Sequence, residues 1–290
     1  MVSISSTSEV RKRANEFFEN HLKSDDINID DIKAIENFLN EEYNLIPEKE
    51  RIGKGMVYLT KIVSKEFYKT FLENKKPEEI RGIIHDFERT GDMLRFAIHL
   101  AAHVATKDLN AILPDVERWA NHDDWEIREN ACYPIRFALK KKKEDTLNLL
   151  RSWAVSDNDN IRRAAAESLR PLSDINWLRD PEKNDIVLEI LSFMNHDESI
   201  YVRKAVGNNL KDLTKYMPAK VLMVLEDWLK QKEKLDERER KSLLWTIYQA
   251  LRWLKDKNPE YHEWMERLVG KNYLLYFDEK RNRWAEPREK

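Results

Sequence analysis

Residues 160–171 read Asn160-Ile161-Arg162-Arg163-Ala164-Ala165-Ala166-Glu167-Ser168-Leu169-Arg170-Pro171, and residues 201–212 read Tyr201-Val202-Arg203-Lys204-Ala205-Val206-Gly207-Asn208-Asn209-Leu210-Lys211-Asp212. Laid over one another on their aliphatic-arginine pairs, the two stretches share an apolar position before the arginine, a small one three after it and a leucine seven after it. The same register returns at Leu94-Arg95 and Ile127-Arg128, so that an arginine recurs at Arg95, Arg128, Arg162 and Arg203 with intervals of 33, 34 and 41 residues. Eight residues before three of the aliphatics stand Trp119, Trp153 and Met194, and the anchor recurs as Trp228. One large apolar anchor and one arginine-led helix per period of this length is the pattern of stacked two-helix units. The fold expected is all-α, a HEAT-like solenoid of antiparallel helix pairs with a concave groove.

Working outward, the 290 residues divide into an irregular helical cap over 1–80, regular repeats over 81–256, and a helix and tail over 257–290, read as one continuous domain. In the cap, Thr7 or Ser8 opens a helix through Phe17, Phe18 and Leu22; Ile32, Ile35, Phe38 and Leu39 mark a second, stopped by Pro47; Met56, Leu59, Ile62 and Val63 mark a third that runs toward Phe67 and Phe71. Pro259 to Leu268 reads as a further helix, and the tail from Lys271 to Lys290 has no clear period beyond a strand or docking segment.

Composition narrows the chemistry. Six glycines and no GxGxxG or GxxxxGK[ST] motif argue against nucleotide-binding loops, and the single Cys132 leaves no disulfide framework and no cysteine zinc cluster. No apolar run is long enough to span a membrane, which makes a cytoplasmic protein the expectation. Charged residues are 36% of the chain, yet the net charge is −2, so a nucleic-acid surface has to be a local stripe.

At 100° per residue the positions before, three after and seven after each arginine fall on one side: Ile127, Ala131 and Ile135; Ile161, Ala165 and Leu169; Val202, Val206 and Leu210. The opposite side carries Glu129, Tyr133 and Arg136, then Arg163, Glu167 and Arg170, then Lys204, Asn208 and Lys211. This second set is expected to line the groove. The recurrent arginines themselves read as a structural ladder with Asp124, Asp159 and Asp197. Glu167 lies between Arg163 and Arg170 on one helix face, Pro171 stops that helix, and an insertion over 172–183 carries Trp177. A charged triad beside a helix end and an aromatic loop is the strongest ligand site in the chain.

These two stretches, with Trp177, resemble the signature region of the AlkC-type DNA alkylation-repair glycosylases, in which VRRLxSEGxRPRLPW is followed by YVRRSVANNLND. The motifs lie within residues 160–212, under a fifth of the chain. The resemblance implies a HEAT-like fold, binding of duplex DNA, and excision of alkylated bases by hydrolysis of the N-glycosidic bond with neither metal nor organic cofactor. It implies Glu167 and Asp212 as the catalytic carboxylates, and contacts to DNA from Arg163, Arg170, Lys204, Asn208, Lys211, Arg136, Tyr133 and Trp177. The sequence departs from the pattern where the family has a further glutamate one repeat upstream, at Tyr133, and where Arg-Leu-Pro-Trp is replaced by Leu172-Ser173-Asp174-Ile175-Asn176-Trp177. A sister group, the AlkD type, uses Trp and Asp four apart. Trp119/Asp123 and Trp153/Asp157 have that spacing, but both tryptophans sit at the repeat-anchor position.

Two alternatives stay open: a catalytically silent binder of DNA structures, and a HEAT scaffold that holds a protein or peptide in the groove. His99 and His103 have the i, i+4 spacing of a helical metal pair without a third ligand, and read as core or groove side chains. Lys140 to Lys143 form a basic run between repeats, and Trp245, Trp253 and Trp264 read as core.

Overall fold

The computed structural model describes residues 4–22, 26–172, 175–278, 280 and 283–285. Ser173 and Asp174, quoted above within the insertion, lie outside the described residues, as do parts of the tail. The chain forms two compact units, Met1–Glu144 and Asp145–Lys290. In the first, the helices are α1 Thr7–His21, α2 Ile29–Leu45, α3 Arg51–Lys54, α4 Met56–Phe67, α5 Pro77–Arg89, α6 Leu94–Lys107, α7 Leu113–Ala120, α8 Trp125–Asn130 and α9 Cys132–Lys141. Helix α10, Lys143–Ala154, leads into the second, which continues with α11 Asp159–Ser168, α12 Asp185–Ser192, α13 Ile200–Leu213, α14 Pro218–Lys230, α15 Glu237–Lys257 and α16 His262–Val269. A short antiparallel hairpin closes the described chain, β1 Tyr276–Asp278 paired with β2 Arg283–Ala285 so that Phe277 faces Trp284 in register. Among the described residues of 80–256 there is no strand, and the tail supplies the strand that the sequence left open.

Within the first unit α1 packs on α4, α4 on α6, and α6 on both α5 and α9; within the second α11 packs on α13 and α13 on α15. The apolar stripe explains this order. All nine stripe residues read from the arginine register are buried, as are the anchors Trp119, Trp153, Met194 and Trp228. Burying one such side chain contributes about 2 kcal/mol, which is why the stripe, rather than propensity, fixes the packed face. The indole of Trp119 donates to Glu88 at 3.1 Å, so it belongs to the repeat core rather than to an AlkD-like pair with Asp123.

Some local expectations are corrected. The cap of α1 is Ser6, whose hydroxyl accepts from the Glu9 N–H, instead of Thr7 or Ser8. The arginine-led helix at Arg128 is broken: α8 ends at Asn130 and α9 begins at Cys132, because Pro134 has no N–H to donate to Asn130 and its ring crowds that carbonyl. Tyr133 therefore lies in a different helix from Arg128, although Ile135 still reaches the core.

The recurrent arginines do form a structural device, in which Arg162 meets Asp197 as the ladder expects and a second kind of contact, to backbone carbonyls, is added. Arg128, Arg162 and Arg203 each donate to the carbonyl six residues upstream, those of His122, Ser156 and Asp197, at 2.6, 2.8 and 2.5 Å. Each guanidinium thereby closes the loop that feeds its own helix. Arg162 also grips Asp197 with two bonds of 2.6 and 3.0 Å, and Arg95 pairs with Glu126. Asp124 caps α8 by accepting from the Glu126 N–H at 2.8 Å, and Asp159 accepts from the Ser199 hydroxyl at 2.7 Å.

Candidate functional site

Helix α11 starts on Asn158, whose side chain accepts from the Asn160 and Ile161 N–H groups at 2.9 and 3.3 Å, and it ends one residue after Glu167. Pro171 terminates the segment, and the Arg170 N–H turns back to the Glu167 carbonyl at 3.3 Å instead of continuing the α ladder to Ala166. The Ala166 carbonyl so released accepts a 2.9 Å bond from the buried side-chain amide of Asn209 on α13. Asn209 is thus the joint between two consecutive repeats.

At this joint Arg170 bridges both carboxylates singled out from the sequence. Its Nη1 donates to Glu167 at 2.9 Å and its Nη2 to Asp212 at 2.7 Å, with Nε 3.3 Å from the same Asp212 oxygen. Lys215 reaches the other Asp212 oxygen at 2.9 Å, and Lys211 stands 3.3 Å from it. Burial by itself would raise the Asp212 pKa, but hydrogen bonds from Lys215 and Arg170 together with the charge of Lys211 hold it below the ordinary aspartate value. Burial works against the charge on Arg170 as well, yet Glu167 and Asp212 raise its pKa above that of a free guanidinium. Lys215 in addition lies over the Trp253 ring at 4.7 Å.

The reading of this face as open polar surface is corrected for two members. Glu167 is 3% exposed and Arg163 5%, and the Arg163 guanidinium stacks over Tyr201 of the next repeat at 4.9 Å. The reason is that α11 is short and lies beside α13, so its polar row is roofed by neighbouring side chains where a longer, isolated face would meet water. Arg170, Lys204, Asn208 and Lys211 are half-buried. Asn208 accepts from Arg252 at 2.7 Å and from Gln249 at 3.1 Å, which ties it to α15. Gly207 permits that approach: a Cβ there would stand 2.5 Å from the Gln249 Cγ. Lys204 lies 6.0 Å from the Phe277 ring of the hairpin.

Trp177 occupies a short 3-10 helix, Asn176–Arg179, and is half-buried. The insertion around it is anchored by Arg179, which donates to the Pro171 carbonyl at 3.0 Å and lies over Tyr216 at 4.9 Å, and by Asn184, which donates to the Leu178 carbonyl at 3.3 Å. Tyr133 and Arg136 belong to the first unit. Tyr133 meets His99 edge-on at a ring distance of 4.3 Å and Phe137 at 4.7 Å. Among the described residues no three His, Cys, Asp or Glu side chains gather as a metal-binding group, and no helix is long and apolar enough to cross a membrane.

The sequence points to Glu167, Arg170 and Asp212 but not to their closure into one network, nor to the contacts around it, Lys215 on Asp212, Asn209 on the Ala166 carbonyl, and Gln249 and Arg252 on Asn208. Only Asn209 had a signal, as part of the Asn-Asn-Leu-x-Asp motif.

Residues 52–254 match the family model described as DNA alkylation repair enzyme, and the chain belongs to that family. A 98-residue stretch is 35% identical to the uncharacterized protein YhaZ of Bacillus subtilis (strain 168), covering 33% of this chain and 28% of that protein. AlkD2 from Streptococcus mutans shares the fold, with a TM-score of 0.57 at 22% identity over 77% of this chain and 98% of its own. An alkylpurine DNA glycosylase, AlkC, from Pseudomonas fluorescens, solved with DNA containing an abasic-site analog, aligns over 90% of this chain and 67% of its own at 21% identity with a TM-score of 0.48.

Proposed function

We propose that the protein binds alkylated duplex DNA and excises the alkylated base by hydrolysing its N-glycosidic bond. The observation that carries this reading is the Glu167–Arg170–Asp212 network, in which one guanidinium fixes two carboxylates from consecutive repeats with Lys204 and Lys211 on the same helix as Asp212. Membership of a DNA alkylation repair family supplies the substrate class. An alkylated purine carries its positive charge on the ring and leaves as a neutral base with the electrons of the bond, so little protonation is required. What the reaction needs is a fixed negative charge against the oxocarbenium-like sugar and a positioned water that adds to it. Glu167 serves the first need and Asp212 the second; Arg170 preorganises both, and Lys204 and Lys211 meet phosphates.

The test is release of free bases from methylated DNA, run beside a binding measurement on the same duplex. Wild type should release purines, and Glu167→Gln should cut release by ~10² while leaving affinity nearly unchanged, the scale of losing one preorganised electrostatic group. Asp212→Asn should behave in the same way. Equal release by wild type and Glu167→Gln removes Glu167 from the mechanism. A second reading, a DNA binder without excision, is favoured by Tyr133: the position where the resemblance expects a further glutamate holds a phenol against His99 and Phe137. Firm DNA binding with no release by wild type would select it.

A further inference from the structure

In the first unit, α4, α6 and α9 lie side by side, and each presents residues four apart on one face. Helix α4 carries Lys61 and Lys65, followed by Lys69 in the π turn Tyr68–Leu72 that extends it; α6 carries His99, His103 and Lys107; α9 carries Tyr133 and Phe137, with Lys140 a turn further on. Their rings form an unbroken path. Tyr68 stacks on His103 at 4.7 Å, His103 meets Phe137 at 5.5 Å, Phe137 meets Tyr133 at 4.7 Å, and Tyr133 meets His99 at 4.3 Å. Ammonium groups sit along this path: Lys107 at 5.4 Å from the Tyr68 ring, Lys140 at 4.9 Å from Phe137 and Lys61 at 5.7 Å from Tyr133.

The charge is one-sided. These three helices contain a single carboxylate, Glu66, which is buried and held by Arg11 at 2.8 Å and by Lys69 at 3.7 Å. In a chain of net charge −2, such a concentration of lysines marks a polyanion surface. Phosphates account for the lysines but not for the rings. Phe137, Tyr133 and His103 stay partly exposed, where a core would have buried them fully. At the end of the path His99 is 2% exposed, and neither of its ring nitrogens has a hydrogen-bond partner, a cost that native interiors seldom carry. Duplex bases are stacked on one another and offer no faces to side-chain rings, whereas an unpaired strand offers a flat face with every nucleotide.

We propose that this face of the first unit binds an unpaired nucleic-acid strand, whose phosphates meet Lys61, Lys65, Lys107 and Lys140 while its bases stack on His103 and Phe137. The site uses no residue of the second-unit network and stands whether or not that network excises bases.

The experiment is fluorescence anisotropy of the full chain with a labelled oligodeoxythymidine of about 12 nucleotides, and with a duplex of the same length. The single strand should bind at low salt. The double variant Lys61→Ser/Lys65→Ser, which alters two exposed side chains, should weaken it by about tenfold and reduce the salt slope by about 1.4, the value for two phosphates on a single strand. Phe137→Leu, which keeps an apolar side chain of similar bulk, should weaken the single strand by about tenfold and leave the duplex unchanged. Three results would overturn the proposal: no binding of the single strand by wild type; equal loss on single strand and duplex in both variants, which would make the face a duplex phosphate track; or displacement of the oligonucleotide by poly-glutamate as effectively as by unlabelled strand, which would make it a general acidic-polymer site.

Discussion

The two units build their polar faces from the same helix grammar and end with opposite chemistry. On α4, α6 and α9 the ammonium groups of Lys61, Lys107 and Lys140 stand over neutral rings, and the helices carry one buried carboxylate. On α11 and α13 Arg170 is spent on Glu167 and Asp212, and Asp212 draws in Lys211 and Lys215 besides. On the first face Lys61, Lys107 and Lys140 stand over rings, while on the second Arg170, Lys211 and Lys215 hold two acids in place. Basic residues counted along a sequence therefore say little until their partners are known, since a lysine beside a ring and an arginine between carboxylates differ in what they can offer an anion.

The contrast is broken most directly at Arg170. Arg170→Ala leaves Glu167 and Asp212 without their shared cation, and should destabilise the protein by about 3–5 kcal/mol in urea unfolding. A loss below about 1 kcal/mol would show that the network is solvated and that the two faces do not differ as argued. In the first unit the sensitivity is to acid. Burial, reinforced by Lys61 and His103, lowers the His99 pKa to about 3, and burial with Lys65 and Lys69 lowers that of His103 to about 4, against 6.5 for a free imidazole. The unfolded chain then binds more protons than the folded one below pH 6.5, so stability is undiminished above that value and falls as the pH drops toward the folded pKa values. At about pH 5 His99 alone should account for about 2 kcal/mol, and the loss between about pH 7.5 and 5 should shrink by that amount in His99→Gln. An unchanged pH dependence would place His99 in contact with water.

Asn209→Ala tests the joint between repeats: the Ala166 carbonyl loses its partner, and thermal unfolding should report about 1–2 kcal/mol. Smallest of all, Lys65→Ala should change stability by less than about 0.5 kcal/mol, because the α4 lysines Lys61 and Lys65 are exposed side chains. A larger loss would mean that they are structural, and would erase the distinction between the faces.

What was legible in the sequence was whatever repeats along one helix. The stripe Ile161, Ala165 and Leu169 and its equivalents went to the core because burial of a 3.6-period row is decided locally. Glu167 and Arg170 were read as a pair for the same reason. Asp212 reaches Arg170 from the next repeat, and Arg252 reaches Asn208 from the one after; bonds of that span depend on how helices abut, which periodicity does not encode. The break at Pro134 was available in the sequence, yet the arginine register carried the helix through it. In the same way the i, i+4 spacing of His99 and His103 on one helix suggests a metal pair, whereas Tyr68 after α4 and Tyr133 on α9 make them part of a ring path.

The amide of Asn209 has a consequence for how this chain can be rearranged. The repeat that ends at Pro171 is left with an open carbonyl that only the following repeat closes, so the two are not interchangeable beads but a socket and its plug. Moving the α11 repeat elsewhere in the array, or placing a copy at its end, would expose a broken edge. A designer shortening or lengthening the array has to cut at another seam and keep this one whole.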